Sequence, residues 1–230
     1  MQDQQTINPG NASQLQALWE MEYENTNTPF DIEEPDEWIA SLAKSGKIHG
    51  NVLDSGCGPG RNSIYLAGQG YSVLGADIST NAIERAKRKA AGKGNRAQFL
   101  QANMCELTGH ENHFDTVVDI GCFHSLDERD RGAYAAALRR ACRAGAVVYL
   151  RAFRWNHPSG KGSPALSEEQ IRAAFAANGW VVKEIVEREI ELFISEEEKP
   201  KTCCWFAEME YDPTAMNGDS SRLDRTWAAS

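Results

Sequence analysis

Residues 52–62 read VLDSGCGPGRN: an apolar run, an acid, then glycines at every second position, Gly56, Gly58 and Gly60. Lacking a Cβ, such residues let the chain turn sharply and let a ligand lie on backbone N–H groups at the entrance of the next helix. Asp77 follows 21 residues after Gly56, at the end of a second apolar run, where a carboxylate can accept both hydroxyls of an adenosine ribose. A nicotinamide-binding chain would share that acid but space its glycines G-x-G-x-x-G to seat a pyrophosphate. Here the third glycine comes one residue early, and Pro59 has no N–H to give a phosphate. Taken alone the glycines could be a helix-entry turn; with Asp77 they point to an adenosine-bearing ligand.

Two further stretches carry reactive or recognising groups. His124, in DIGCFHSL, follows an apolar strand, and an imidazole, whose reference pKa is ~6.5, is a side chain suited to act as a general base; bonding a backbone group is the equal alternative. The segment RAFRWNHPSGKGSP places Arg151, Phe153, Arg154 and Trp155 among glycines and prolines, a composition that suits a mobile loop over a pocket. Phe123, Phe153 and Trp155 could stack on a flat aromatic acceptor, or simply pack at the surface. His110 and His113 lie in a polar loop without a third ligand, so no metal is expected.

These residues need a sheet to bring them together. NVLDSG, YSVLGADIS, AQFLQA, FDTVVDIG and AVVYLRAF read as strands, alternating with helices over NSIYLAGQG, from Thr80 to about Ala91, and over ERDRGAYAAALRRACR. That alternation predicts an α/β fold: a Rossmann-like, mostly parallel sheet with helices on both faces. After the helix SEEQIRAAFAANG come WVVKEIVEREIELFI and KTCCWFAEMEY, joined by a polar turn, which predicts a closing antiparallel hairpin. The expected organisation is an N-terminal helical lid over residues 1–48, a core over 49–211 and a tail over 212–230.

Composition narrows the function classes. The chain has 230 residues, a net charge of -9 and no uninterrupted apolar stretch of membrane-spanning length. Its polar start lacks the features of a secretory signal, so a cytoplasmic protein is expected. The six cysteines form no C-x-x-C pair and read as reduced thiols. The single basic stretch, ERAKRKAAGK, reads as a solvated helix face, and no nucleic-acid or membrane partner is expected.

The stretch VLDSGCGPGRNSIYLAGQGYSVLGADIS resembles the first two motifs of the class I S-adenosylmethionine-dependent methyltransferases, and the resemblance runs from about Asn51 to Phe153. It implies seven strands with the last reversed, and S-adenosylmethionine as cofactor. Asp54, Ser55, Gly56, Cys57 and Gly58 would lie beside its methionyl part, Asp77 on the ribose and Ile78 against the adenine. Asn103, standing where the family usually has an acid, could meet the adenine amino group, with Met104 and Ile120 completing the cofactor contacts; for Met104 core packing is a comparable alternative. The loop I-G-C-F-H-S resembles that of bacterial small-molecule methyltransferases of the thiopurine, thiol and heterocyclic-toxin type, and NTPFDIEEP resembles a segment that those enzymes fold over the cofactor. An acceptor would then meet Tyr23, Phe30, Phe123, His124, Arg151, Phe153 and Trp155. The expected reaction is methyl transfer to N, S or O of a small aromatic molecule, chiefly by positioning and desolvation. A cofactor-binding module without catalysis and a nicotinamide oxidoreductase are the other classes.

Overall fold

The computed structural model describes residues 12–24, 31–154, 166–191 and 201–215. Two helices, α1 (Ala12–Glu24) and α2 (Glu37–Lys44), precede β1 (Asn51–Ser55), α3 (Arg61–Gly68), β2 (Ser72–Asp77), α4 (Thr80–Gly92) and β3 (Gln98–Gln101). Then come β4 (Phe114–Ile120), a 3-10 turn at Phe123–Ser125, α5 (Glu128–Ala141), β5 (Cys142–Phe153), α6 (Glu168–Ala176), β6 (Trp180–Glu191) and β7 (Lys201–Tyr211). The seven strands lie in the order β3-β2-β1-β4-β5-β7-β6. The first five pair in parallel, and β7 runs antiparallel between β5 and β6, as the sequence predicts.

The continuous apolar runs of the central strands follow from burial on both faces. Leu53, Val117, Val148 and Leu150 point into one cluster with Tyr134, Leu138, Phe175 and Trp180. Their neighbours Val52, Val118 and Tyr149 point the other way, onto Ile39 and Leu42 of α2 and Leu66 of α3. Polar side chains start the helices: Ser79 accepts from the amide of Ala82, Asp127 from that of Asp130, and Ser167 and Gln170 form a reciprocal capping box.

The basic stretch on α4 is largely a solvated face, with Glu84, Lys87, Arg88 and Lys93 exposed, but it also carries ion pairs that composition does not announce: Asp31 pairs with Arg85 and Lys89, and Glu33 pairs with Lys89 and Lys93. The acidic segment ahead of α2 is thereby clamped along α4. Composition hid this because the opposite charges lie more than fifty residues apart in the chain.

Strand order reverses between β1, whose chain goes on to β2, and β4 on its other side. A crevice therefore opens at their carboxyl ends, where the glycine loop, Asp77 and the His124 turn all emerge.

Candidate functional site

Gly56, Gly58 and Gly60 all take positive φ, at 67°, 52° and 83°. Their surroundings are tight. A Cβ on Gly56 would lie 2.6 Å from Cβ of Cys122, one on Gly58 2.8 Å from the Tyr23 hydroxyl, and one on Gly60 2.8 Å from the Phe99 ring. The amides of Gly56 and Cys57 donate to the Ala76 carbonyl at 2.8 and 3.0 Å, and that of Gly60 donates to the Cys57 carbonyl at 3.0 Å. The Gly58 amide donates to Oδ2 of Asp77 at 2.9 Å. With these four N–H groups engaged and Pro59 having none, the loop is poorly equipped to cradle a pyrophosphate.

Three buried acids end β1, β2 and β4. Burial pushes the Asp54 carboxyl up to about 6 against the opposing hydrogen bond from Ser63, whose hydroxyl donates at 2.6 Å. Burial likewise raises Asp77 to about 6, against amide bonds from Ser79 and Gly58. Asp119 is raised furthest, to about 7, again by burial, although Tyr134 donates to it at 2.6 Å and the amides of Cys122 and Phe123 at 2.8 and 3.0 Å. Among the described residues none of the three is in a salt bridge. A crevice floored by acids, with its loop amides engaged, fits a cationic nucleoside such as a sulfonium better than a polyanion.

Helix α1 lies across this edge. Glu20 accepts from the Ser79 hydroxyl at 2.9 Å and from the amides of Thr80 and Asn81 at 2.7 and 3.0 Å, so its carboxylate sits on the N-terminus of α4. Burial would raise the Glu20 pKa, but these bonds win and it lies below the usual range. One turn further on, Tyr23 is only 6% exposed, with its ring 5.8 Å from that of Trp19. Glu20→Ala should release α1 selectively: amide hydrogen exchange should rise at least ~10-fold in α1 while β1 and β4 stay protected. Uniform loss of protection would mean that the helix is integral to the core.

The remaining expected residues divide. Ile78 is partly buried beside the main core, Ile120 packs against the cluster on the α2 face, and Oδ1 of Asn103 accepts from the Cys105 amide at 3.0 Å. The Met104 side chain is buried in the core, so its backbone is what it can offer to a ligand. His124 is part-buried, its ring 4.9 Å from that of Phe153 and inclined at 70° to it. Arg151 pairs with Asp36. Phe123, expected against an acceptor, is corrected: at 0% exposure it packs between Tyr134 and Phe175, with no face to offer. Phe30 and Trp155 lie outside the described residues.

Sequence reasoning passed over Asp119, Tyr134, Glu20, Asp36 and Arg61. For Asp119 a signal was available, since an ionisable residue inside TVVDI must find partners if that strand is buried. Glu20 and Asp36 had none, because both act on residues distant in the chain.

A family model described as a methyltransferase domain matches residues 52–145. An uncharacterized methyltransferase of Schizosaccharomyces pombe is 46% identical over 113 residues, covering 49% of this chain and 78% of that protein. The 2-heptyl-1-hydroxyquinolin-4(1H)-one methyltransferase of Mycobacteroides abscessus is 33% identical over 160 residues, covering 68% of this chain and 70% of that protein. A solved structure described under the conversion of a disulfide bond into a thioacetal group during echinomycin biosynthesis is 31% identical, with a TM-score of 0.78, covering 90% of this chain and 95% of that one.

Proposed function

Because this chain belongs to the class I S-adenosylmethionine-dependent methyltransferases, we propose that it methylates a nitrogen, sulfur or oxygen atom of a small aromatic or heterocyclic acceptor. The observation that carries the small acceptor is the burial of Tyr23 against the glycine loop: α1 lies over the edge where a macromolecule would have to enter. The relatives support this reading, one named for a hydroxyquinolone acceptor and one described under a reaction of sulfur.

When bound, the cofactor supplies an electrophilic methyl group on a sulfonium sulfur. Asp77 would hold the ribose, Ile78 and Asn103 the adenine, and the loop from Ser55 to Gly58, with Asp54 beneath it, the methionyl part. Within the 1–48 segment, helix α1 acts as a lid on the core and excludes water. Phe153 and His124 form an aromatic wall that orients the acceptor, so most of the rate comes from alignment. A thiolate or ring nitrogen then needs no base, whereas a hydroxyl would use the His124 imidazole to take its proton.

The test is release of S-adenosylhomocysteine from S-adenosylmethionine with a panel of thiols, N-heterocycles and hydroxyquinolones, beside melting curves with S-adenosylhomocysteine and with NAD. The expected result is turnover with one acceptor class, and stabilisation of ~2.7 kcal/mol by S-adenosylhomocysteine at ~100 times its Kd. Stabilisation without turnover on any acceptor would favour a binding module. Stabilisation by NAD alone would overturn the cofactor.

A further inference from the structure

One buried guanidinium near the crevice has no acid to answer it. Arg131 is 3% exposed, and its Nε has no hydrogen-bond partner. Among the described residues no carboxylate is salt-bridged to it. The crevice's other arginines differ, for Arg61 and Arg151 share Asp36, whose Oδ2 is 3.6 Å from Arg61. The acids next to Arg131 in the chain are engaged or turned away: Asp127 caps α5 by accepting the Asp130 amide at 3.0 Å, and Glu128 is exposed. Burial draws the Arg131 pKa down, and Glu128 and Asp127 act against that without pairing with it. A guanidinium stays charged even so, and a buried charge without a counter-ion is costly to keep.

The fold puts this charge at the mouth of the crevice. Helix α5 descends alongside β4, since the carbonyls of its last residues, Arg140 and Ala141, accept the amides of Asn112 and His113 just before that strand begins. Its first turn therefore stands at the carboxyl end. Tyr134, three residues on along the same face, reaches Asp119 and Ser55 at the ends of β4 and β1. Arg131 lies about 4.5 Å further up the helix, nearer the mouth. Its guanidinium carbon is 5.8 Å from the centre of the Phe123 ring. Tyr134 and Phe175 pack that ring from the deeper side, so the guanidinium covers it toward the mouth. The next residue, His124, stands at the rim against Phe153.

We propose that Arg131 is an acceptor-binding residue, pairing with an acidic oxygen of phenol or enol type on the flat small molecule that enters beside His124 and Phe153. This rests on the methyl-transfer reading above and narrows its acceptor to one that binds as an oxyanion. The acceptor gives its proton to solvent on entering, and its charge offsets the one that the fold leaves unpaired. A phenolate or enolate fits better than a carboxylate, because its charge is spread into the ring and costs less to take out of water, while its oxygen still accepts from the guanidinium. Arg131 thus selects acceptors by charge, where His124 and Phe153 select them by shape.

The probe is 4-nitrophenol, whose anion is coloured, titrated against pH with the full chain saturated with S-adenosylhomocysteine. The neutral control of the same outline is 4-nitroanisole, and 4-nitrobenzoate carries a localised charge. In the wild type the pKa of the bound probe should fall by ~1 unit or more, and the phenolate should bind at least ~10-fold tighter than either control. Arg131→Met should abolish both the shift and the preference. Its Kd for S-adenosylhomocysteine and its melting temperature should stay near those of the wild type, since removing an unpaired guanidinium leaves no partner behind. If Arg131→Met does not fold, Arg131→Gln takes its place, and the wild-type titration is decisive without either. No binding or an unshifted pKa in the wild type overturns the site, as does a shift that survives in a folded variant. Tighter binding of 4-nitrobenzoate overturns the phenolate assignment. Failure of the wild type to bind S-adenosylhomocysteine removes the methyl-transfer reading itself, which none of the other outcomes touches.

Discussion

Asp77→Asn should weaken S-adenosylhomocysteine binding by ~10²-fold or more, because it removes the only charge available to accept the ribose hydroxyls at the end of β2. Each oxygen of the native carboxylate already takes one amide, Oδ2 from Gly58 and Oδ1 from Ser79, both at 2.9 Å. Those two bonds fix its plane and leave a lone pair on each oxygen for a ligand hydroxyl. Two hydrogen bonds to a charged acceptor are worth ~1.5–3 kcal/mol each, so losing both corresponds to ~10²–10⁴ in affinity. Asparagine also turns an NH2 group toward an amide that needs an acceptor. An acid at a strand end would ordinarily carry little packing, but Asp77 is 7% exposed and ties the glycine loop to β2, so the variant should melt lower as well. The ionised form is the one that accepts both hydroxyls. With the carboxyl near 6 in the free protein, wild-type affinity should fall as the pH drops below about 6. Calorimetry on folded Asp77→Asn decides the matter, and an unchanged Kd would remove the ribose role.

Only part of the Asp77 site is legible in the chain. The spacing of Gly56, Gly58 and Gly60 before Asp77 is local, and so is the alternation of apolar runs with helices; both therefore survive in the sequence, and the strand order follows once the family pattern is seen. What the glycines touch is not local. Cys122, Tyr23 and Phe99 reach them from the turn after β4, from α1 and from β3, so the loop reads as a ligand cradle when much of its spare room holds the protein's own side chains. Phe123 misled for a related reason. An aromatic residue next to His124 in a loop motif looks like a stacking surface, but within a 3-10 turn adjacent side chains diverge, and Phe123 falls inward while its neighbour stays at the rim. The ion pairs of Asp31, Glu33 and Asp36 were illegible because charge composition carries no information about partners fifty or a hundred residues away.

Asp119→Ala should cost about 3–5 kcal/mol of stability and lower the melting temperature by roughly 10 °C, a larger loss than its position beside a loop suggests. The carboxylate is the acceptor for the Tyr134 hydroxyl and for the amides of Cys122 and Phe123. Tyr134 can still turn to the Ser55 hydroxyl at 2.9 Å, but the two amides are left in a site with little access to water. Since those amides begin the turn that carries His124, activity should fall further than stability alone requires. Asp119→Asn should be mild by contrast. Its oxygen can serve the two amides, and its NH2 can donate to Tyr134, whose own proton then goes to Ser55. The two variants also separate on pH. Burial raises Asp119 from the ordinary 3.8 to about 7, so the folded state holds the proton more tightly than the unfolded chain does. The resulting stabilisation is complete below pH ~3.8 and is lost as the pH rises through about 7. Asp54 and Asp77, raised to about 6, act in the same direction but are spent at lower pH. Wild-type melting temperature should therefore decline between pH 6 and 8, and Asp119→Asn, which has no proton to lose there, should decline less. Parallel melting curves for the two proteins across that interval would show that Asp119 is already ionised in the fold, and would leave the buried network as a set of hydrogen bonds without a titrating centre.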